Sequence, residues 1–178
     1  MHIIVDGYNL IRQSLPLRKA ERIGLEAGRQ TLLEMLHAYK EHRGHKITVV
    51  FDGWEGGSPL EERDKFGGIY IVYSKLGEKA DEVIKRIVAR GDDNFTVISS
   101  DREIANFVIR RGYAVISADE FERKLYASLV SGDEATIAGE YNDGEGFDAD
   151  AKIGTKKKGT AFKLSKAKRR EKQVLEKL

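Results

Sequence analysis

Four aspartates lie where the strands of a parallel sheet would end at one shared edge. Asp6, Asp52 and Asp101 each follow a short apolar run that is typical of a buried strand, and Asp81 lies in the first turn of a predicted helix. Because the carboxyl ends of parallel strands meet at one edge, we expect these four side chains to lie close together. Carboxylate oxygens are the ligands that Mg²⁺ and Mn²⁺ prefer in proteins. The pattern therefore predicts metal-assisted chemistry on a phosphodiester.

Each acid also has an ordinary structural interpretation. Asp6-Gly7 and Asp52-Gly53 are common turn dipeptides, and an acid such as Asp81 in the first turn of a helix complements the helix dipole. Carboxylates that lie close together need a cation to remain ionised, which favours a metal site for the set as a whole. Two metals roughly 3.5–4 Å apart, or one metal with a carboxylate base, are both compatible with the pattern.

Two polar residues beside these acids are candidates for supporting roles. Asn9 is expected either to hold Asp6 or to touch phosphate, and an Asx turn is the alternative. Glu82 follows Asp81 directly, and adjacent helix positions do not share a face. We therefore favour Asp81 as the metal ligand and expect Glu82 to lie outside the ligand set or in solvent.

Two serines precede Asp101 and allow two interpretations. Ser99 and Ser100 can orient water or phosphate, or they can cap the helix that follows. The pattern Ser100-x-x-Glu103 is a capping box, so for Ser100 we favour the cap.

The charge of the chain is distributed unevenly. Residues 1–151 contain 20 Lys/Arg and 27 Asp/Glu, whereas residues 152–178 contain 11 and 2, so the net charges are −7 and +9. A basic tail on an acidic body predicts a polyanionic partner. Several residues are candidates for RNA binding. The alternative role for each cation near the predicted site is solvated surface charge, and the alternative role for Trp54 is a loop anchor. The candidate RNA-binding residues are Arg12, Trp54, Lys75, Lys79, Arg102, Lys156, Lys157, Lys158, Lys168, Arg169 and Arg170.

Strand patterns alternate with helical patterns along the chain, which predicts an α/β fold with a mostly parallel sheet of about five strands. A long helix is predicted from near Lys19 to Arg43, and residues 53–68 are predicted to form a loop. The first apolar run is continuous rather than alternating, so we expect helices on both faces of the sheet. The predicted strands cover residues 2–5, 47–51, 69–73, 95–98 and 113–116.

The composition also predicts the domain organisation and excludes some functions. Residues 1–131 are predicted to form one domain. Residues 132–160 are predicted to form a linker that is first acidic and then Lys-rich, and residues 161–178 a basic helix or tail. The chain has no cysteine, which excludes disulfide partners and cysteine zinc sites. No signal-peptide pattern or bilayer-length apolar run is present, so we expect a cytoplasmic protein without a membrane partner. The oligomeric state is left open.

The residues assembled so far resemble a known family. Over residues 3 to about 131, the chain contains four motifs in the same order as the NYN branch of the PIN-like nucleases, and it is specifically similar to the bacterial YacP-like group. The motifs that carry the resemblance are Ile4-Val5-Asp6-Gly7-Tyr8-Asn9, Val50-Phe51-Asp52-Gly53, Lys79-Ala80-Asp81-Glu82 and Ser99-Ser100-Asp101.

The resemblance implies a PIN-like three-layer sandwich and an endoribonuclease that depends on Mg²⁺ or Mn²⁺. It also implies that the four aspartates fill the acidic positions of the family and that Asn9 assists. YacP-like proteins are associated with cleavage of mRNA, in some cases on the ribosome, so single-stranded RNA or mRNA is the expected partner and the ribosome a further candidate. A basic C-terminal extension is similar to that of the group, whereas the acidic segment 133–150 is not expected.

Two other classes of function are compatible with parts of the sequence. The basic tail alone is compatible with a non-catalytic RNA- or ribosome-binding module. Phosphatases and phospho-receiver domains also use aspartates at strand ends. Tyr8 stands where a phosphatase D-x-D motif has its second acid, and no lysine follows the run at 113–116 as a receiver requires.

Overall fold

One six-stranded sheet forms the centre of the protein. The computed structural model describes residues 1–53, 58–91, 93–132 and 165–178, and the sheet has the strand order β3-β4-β2-β1-β5-β6. Neighbouring strands pair in parallel, except that β3 is antiparallel to β4. The strands are β1 (His2–Asp6), β2 (Lys46–Phe51), β3 (Glu62–Phe66), β4 (Ile69–Tyr73), β5 (Phe95–Ile98) and β6 (Ala114–Ile116).

Helices connect the parallel strands and cover both faces of the sheet. They are α1 (Gly7–Gln13), α2 (Leu15–Ile23), α3 (Leu25–Arg43), α4 (Ala80–Arg90), α5 (Arg102–Arg110), α6 (Ala118–Gly132) and α7 (Lys166–Leu175). Among the residues described, no helix combines the length and the apolar character that crossing a bilayer requires.

The core consists of two layers, one on each face of the sheet. In β1, Ile3 and Val5 pack with residues of α1, α3 and α6, whereas Ile4 packs with residues of α4 and α5. All three side chains are fully buried, and burial of an aliphatic side chain of this size contributes about 1.5–3 kcal/mol. The period of two along the strand therefore divides the helices between the faces, and the predicted three-layer sandwich is confirmed.

Five strands were predicted, and the additional strand is β3. It lies within the segment 53–68 that the sequence predicted to be a loop, so that prediction is wrong. Its residues, Glu62–Phe66, are mostly exposed and form the edge of the sheet. They lack the apolar run that identified the other strands, and charged side chains protect a free sheet edge from pairing with another chain. Gly67 and Gly68, with φ of 52° and 75°, make the two-residue turn to β4.

The predicted long helix from Lys19 to Arg43 is in fact two helices. Gly24 separates α2 from α3 with extended backbone angles, φ 171° and ψ 151°. Glycine weakens a helix interior, and Gly28 lets the two helices approach closely, because a Cβ there would lie 3.0 Å from Cβ of Glu21. The break folds α2 back on α3, and α2 begins just after Gln13, which contacts Ser100 beside Asp101.

The C-terminal helix α7 packs on the domain rather than projecting from it. Leu178 is 1% exposed and belongs to the core on the α3 and α6 face. The Tyr39 hydroxyl donates a hydrogen bond of 3.2 Å to the Leu178 carbonyl oxygen, and Nε2 of His45 lies 3.2 Å from the Lys177 carbonyl oxygen. Residues 133–164 lie outside the described residues, so the boundaries proposed for the linker stay predictions.

Candidate active site

Asp6 stands where the chain order of the sheet reverses. Strand β1 lies between β2 and β5, and ligands of open α/β sheets bind at such a switch point, beyond the carboxyl ends of the strands. Asp6 ends β1 and caps α1, because its Oδ1 accepts a hydrogen bond of 3.2 Å from the Asn9 N–H. Its Oδ2 accepts a hydrogen bond of 3.1 Å from the Ser99 hydroxyl.

The Asp6 carboxyl group has a strongly perturbed pKa. Burial raises this pKa to about 6, and the two hydrogen bonds from Asn9 and Ser99 only partly oppose the effect. The negative charges of Asp52 and Asp101 raise it further. These three acids, from the ends of β1 and β2 and from the segment after β5, are therefore near enough to interact electrostatically.

Asp52 follows β2 and is fixed by the first turn of α4. Its Oδ1 accepts a hydrogen bond from the Ala80 N–H. The next residue, Gly53, donates its N–H to the Ser74 hydroxyl at 2.7 Å, and a Cβ on Gly53 would lie 1.9 Å from the Ser74 carbonyl oxygen. The chain can pass this point only without a side chain, so the Asp52-Gly53 pair is required by packing as well as by the turn.

Asp101, and not Ser100, caps α5. Its Oδ1 accepts hydrogen bonds from the N–H groups of Glu103 at 2.7 Å and Ile104 at 3.1 Å. The prediction that Ser100 provides this cap is wrong, because an acid directly before the helix is the better-placed acceptor. One oxygen of Asp101 is thus used to stabilise a helix.

Ser100 instead connects three elements around the site. Its hydroxyl donates to Oε1 of Gln13 at 2.9 Å and accepts from the Ala118 N–H at 3.1 Å. Its backbone N–H donates to Oδ1 of Asn9 at 2.9 Å. Asn9 therefore holds Asp6 through its backbone and α5 through its side chain.

Asp81 belongs to a second group of acids that surrounds a lysine. Nζ of Lys85 lies 3.2 Å from Asp81 Oδ2, 3.2 Å from Glu82 Oε1 and 2.5 Å from Glu103 Oε1. Hydrogen bonds to these acids raise the pKa of Lys85, and the hydrogen bond to Glu103 has the largest effect. The lysine lies between three carboxylates, and its positive charge offsets their mutual repulsion.

The predicted quartet is therefore divided between two neighbouring groups. Asp6 interacts with Asp52 and Asp101, whereas Asp81 turns towards Lys85. Within the part of the chain that the structure describes, the carboxylates that bring one oxygen each within 4.8 Å of one another are those of Asp81, Glu82 and Glu103. The first three acids are more widely spaced than that limit.

The donor set fits a hard divalent cation. Oδ1 of Asp81 is buried and has no hydrogen-bond partner among the described residues, and a buried carboxylate oxygen without a partner is costly. Carboxylates are also the ligands that such ions prefer. The residues that could hold the ion are Asp6, Asp52, Asp81 and Asp101, with Glu82 and Glu103 beside them.

The candidate RNA-binding residues differ in how much the structure says about them. Near the acids, the side chains of Arg12, Lys75, Lys79 and Arg102 are exposed. On α7, Lys168, Arg169 and Arg170 are exposed as well. Trp54, Lys156, Lys157 and Lys158 lie outside the described residues.

Cavity size alone does not identify this site. A groove of about 750 Å³ lies over the sheet beside His2 and Tyr70, and none of the predicted catalytic residues lines it. His2 is buried there, with Nδ1 2.8 Å from Asp93 Oδ2 and Nε2 2.8 Å from Thr48 Oγ1, so it has a structural role. A smaller cavity of about 260 Å³ is lined by Asp52 together with Arg29, Ser58 and Tyr73.

Sequence reasoning missed Lys85 and Glu103 as neighbours of the acids. The spacing of four between Asp81 and Lys85 is a recognisable signal, because such residues face each other on a helix. Glu103 had no comparable signal, since the pattern with Ser100 suggested a cap. Its approach to Lys85 depends on how α4 and α5 pack together.

Comparison with known proteins supports the fold and indicates the family. The family model described as YacP-like NYN domain matches residues 3–170. The protein YacP of Bacillus subtilis (strain 168) is 28% identical over 85 residues, which are 48% of this chain and 49% of that protein. The chain thus spans about half the length of this relative.

Two crystal structures have the same fold. Rae1 (YacP) from Bacillus subtilis gives a TM-score of 0.62 at 24% identity, with 74% of this chain and 76% of that chain covered. The W164L mutant of the same protein gives 0.63 at 22% identity, with 73% and 77% covered. The predicted PIN-like α/β architecture agrees with both.

Proposed function

The chain belongs to the YacP-like NYN domain family, and from this premise we propose that it is an endoribonuclease that hydrolyses RNA phosphodiester bonds with Mg²⁺ or Mn²⁺. The family as a whole suggests a nuclease-like function related to RNA. The proposal goes further in naming internal cleavage, the metals and the residues of this chain.

The observation that carries the proposal is the environment of Asp6. Its carboxyl group is mostly buried, its pKa is raised to about 6, and Asp52 and Asp101 contribute to that shift. A protein gains no stability from placing acids of like charge together, and a divalent cation removes the repulsion. The unpartnered Oδ1 of Asp81 supports the same conclusion from the neighbouring group.

The residues of the chain would hold the ion from different elements. Asp6 and Asp52 contribute from the ends of β1 and β2, Asp101 from the start of α5, and Asp81 from the first turn of α4. When bound, a divalent metal lowers the pKa of a coordinated water and polarises a phosphoryl oxygen. The Ser99 hydroxyl orients Asp6, because it fixes Oδ2 at 3.1 Å.

Single-stranded RNA, mRNA in particular, is the proposed substrate, and the ribosome is a proposed partner. Exposed cations flank the acids, among them Arg12, Lys79 and Arg102, and phosphate contacts from such residues position a nucleic acid without reading its sequence. The three exposed cations Lys168, Arg169 and Arg170 on α7 provide a further basic surface.

A cleavage assay tests the proposal. End-labelled RNA, unstructured in one series and structured in another, is incubated with the protein in Mn²⁺, Mg²⁺ or EDTA, with and without ribosomes. We expect internal cuts with metal, none in EDTA, and none with Asp6→Asn although that variant remains folded. Cleavage by Asp6→Asn at the wild-type rate would contradict the proposal.

The alternative function is a non-catalytic RNA- or ribosome-binding module. The exposed basic side chains of α7 favour it, since phosphate neutralisation alone gives salt-dependent binding. In the same assay, RNA binding that weakens steeply with salt, without cleavage at any metal concentration, would replace the nuclease proposal with this one.

A further inference from the structure

One face of α2 exposes three cations and two large apolar side chains to solvent. Leu15 is 64% exposed and Ile23 is 86% exposed. With 3.6 residues per turn, these residues and the cations between them occupy one arc of about 140° on the helix. The five residues of this α2 face are Leu15, Arg18, Lys19, Arg22 and Ile23.

The three cations of the α2 face are not neutralised by neighbours. Arg18, Lys19 and Arg22 form no ion pair or side-chain hydrogen bond with any residue that the structure describes. By contrast, Lys85 and Arg86 are each held by at least two acids. Unpaired charge of one sign on a single helix face favours an anionic partner.

Both ends of α2 are connected to the row of aspartates. At its start, Ser14 caps the helix, and the preceding Gln13 contacts Ser100 and Asn9 at 2.9 and 3.1 Å. Near its end, Glu21 packs against Gly28 of α3, and the next residue of α3, Arg29, lines a cavity together with Asp52. The helix therefore runs beside the acids, from the Asp101 side to the Asp52 side.

We propose that the α2 face binds the single-stranded RNA that the neighbouring acids cleave. This inference rests on the proposed function and adds the surface that holds the substrate. The acids alone repel phosphates, so a strand that reaches them needs cations alongside. Arg18, Lys19 and Arg22 neutralise backbone phosphates, and Leu15 and Ile23 contact base faces. An acidic protein and an anionic membrane surface are the competing partners.

Salt-dependent binding of a labelled, unstructured RNA oligonucleotide tests the inference. It is measured in EDTA, so that cleavage plays no part. The test variant is Arg18→Ala/Lys19→Ala/Arg22→Ala. The matched control removes three exposed arginines that end α3, α4 and α5 at the opposite edge of the sheet, namely Arg43→Ala/Arg90→Ala/Arg110→Ala. Circular dichroism melting establishes that both variants are folded.

The expected result is a loss of affinity that is specific to α2. The α2 variant should bind RNA at least about tenfold more weakly at low salt, and the slope of log K against log salt should fall by about 2 in magnitude, as expected for three phosphate contacts on a single strand. The control should change little. A second variant, Leu15→Ser/Ile23→Ser, should weaken binding without altering the slope.

Other outcomes separate this inference from the proposed function. Equal losses in the α2 variant and the control, or no loss in either while metal-dependent cleavage persists, would overturn the inference and leave the nuclease in place. RNA binding that depends on α2, without cleavage, would support the α2 face as an RNA-binding surface and overturn the proposed nuclease function. Binding to phosphatidylglycerol vesicles that depends on α2, with RNA binding unchanged, would assign the face to a membrane and overturn the inference.

Discussion

The Ser99 hydroxyl donates a hydrogen bond of 3.1 Å to Oδ2 of Asp6, and the two residues are 93 positions apart in the sequence. The same hydroxyl accepts a hydrogen bond of 3.1 Å from the Asp101 N–H. One buried side chain thus joins the end of β1 to the start of α5 and sets the distance between two of the candidate ligands.

Replacement of Ser99 by alanine should raise the pKa of Asp6 above about 6. The hydrogen bond from Ser99 stabilises the ionised carboxylate and lowers this pKa, while burial and the charges of Asp52 and Asp101 remain in the variant. Carboxyl ¹³C chemical shifts of Asp6, followed from pH 3 to 9 in EDTA, measure the change. An unchanged or lower midpoint would show that Ser99 does not stabilise the charge.

Asp6→Asn should alter how the stability of the metal-free protein depends on pH. The pKa of Asp6 is about 6 in the folded protein, compared with the ordinary value of 3.8 that applies to the unfolded chain. The wild type therefore loses stability as the pH rises through this window. The variant cannot titrate there and should gain roughly 2–3 kcal/mol relative to wild type between pH 4 and pH 7. Urea unfolding at several pH values in EDTA measures this, and a constant difference would contradict it.

Lys85→Met should strengthen the binding of Mn²⁺. The lysine lies among Asp81, Glu82 and Glu103, and removal of a positive charge a few ångströms from a cation site should lower the dissociation constant by about tenfold or more. Without metal, the variant should be less stable than wild type because the acids repel. Isothermal titration with Mn²⁺ measures the affinity, with the exposed Lys172→Met as control; weaker binding in Lys85→Met than in the control would sink the prediction.

Two variants of Asp101 should separate its role as a helix cap from its role at the metal. Asn accepts the same hydrogen bonds at a helix N-terminus, so Asp101→Asn should keep the stability of the wild type, whereas Asp101→Ala should lose about 1 kcal/mol. Both variants lack the carboxylate and should lose cleavage activity. Urea unfolding and the RNA assay measure the two effects, and full activity in Asp101→Asn would leave only the structural role.

Leu178→Ala should destabilise the whole domain. Leu178 is fully packed in the core although it lies in the C-terminal segment, and truncation of a buried leucine typically costs about 2–5 kcal/mol. The exposed neighbour Lys177→Ala should change stability little. Equal unfolding midpoints for the two variants would indicate that α7 does not dock.

The parts of the fold that the sequence predicted are those in which local pattern and burial agree. The apolar runs that became β1, β2, β4 and β5 are buried between two helical layers, so their composition identifies them. β3 is an exposed edge strand, and its residues Glu62–Phe66, of which the first four are charged, carry no such signal. The break at Gly24 depends on how α2 packs against α3, which periodicity along one helix does not encode.

The candidate site follows the same division. Each aspartate could be predicted to lie near the end of a strand or the start of a helix, because short-range order decides that. The grouping of Asp81 with Lys85 and Glu103, away from Asp6, depends on the packing of α4 against α5. The sequence could not anticipate the double use of Asp101 as a cap either, since Ser100 offered an equally good pattern.

Electron paramagnetic resonance of free Mn²⁺ measures whether the four aspartates form a metal site. The proteins compared are the wild type and the single variants Asp6→Asn, Asp52→Asn, Asp81→Asn and Asp101→Asn. We expect saturable binding by the wild type and an affinity at least about tenfold lower in each single variant, since each removes one charged ligand. If the wild type leaves millimolar Mn²⁺ free, or if all four variants bind it as the wild type does, the aspartates do not form a metal site.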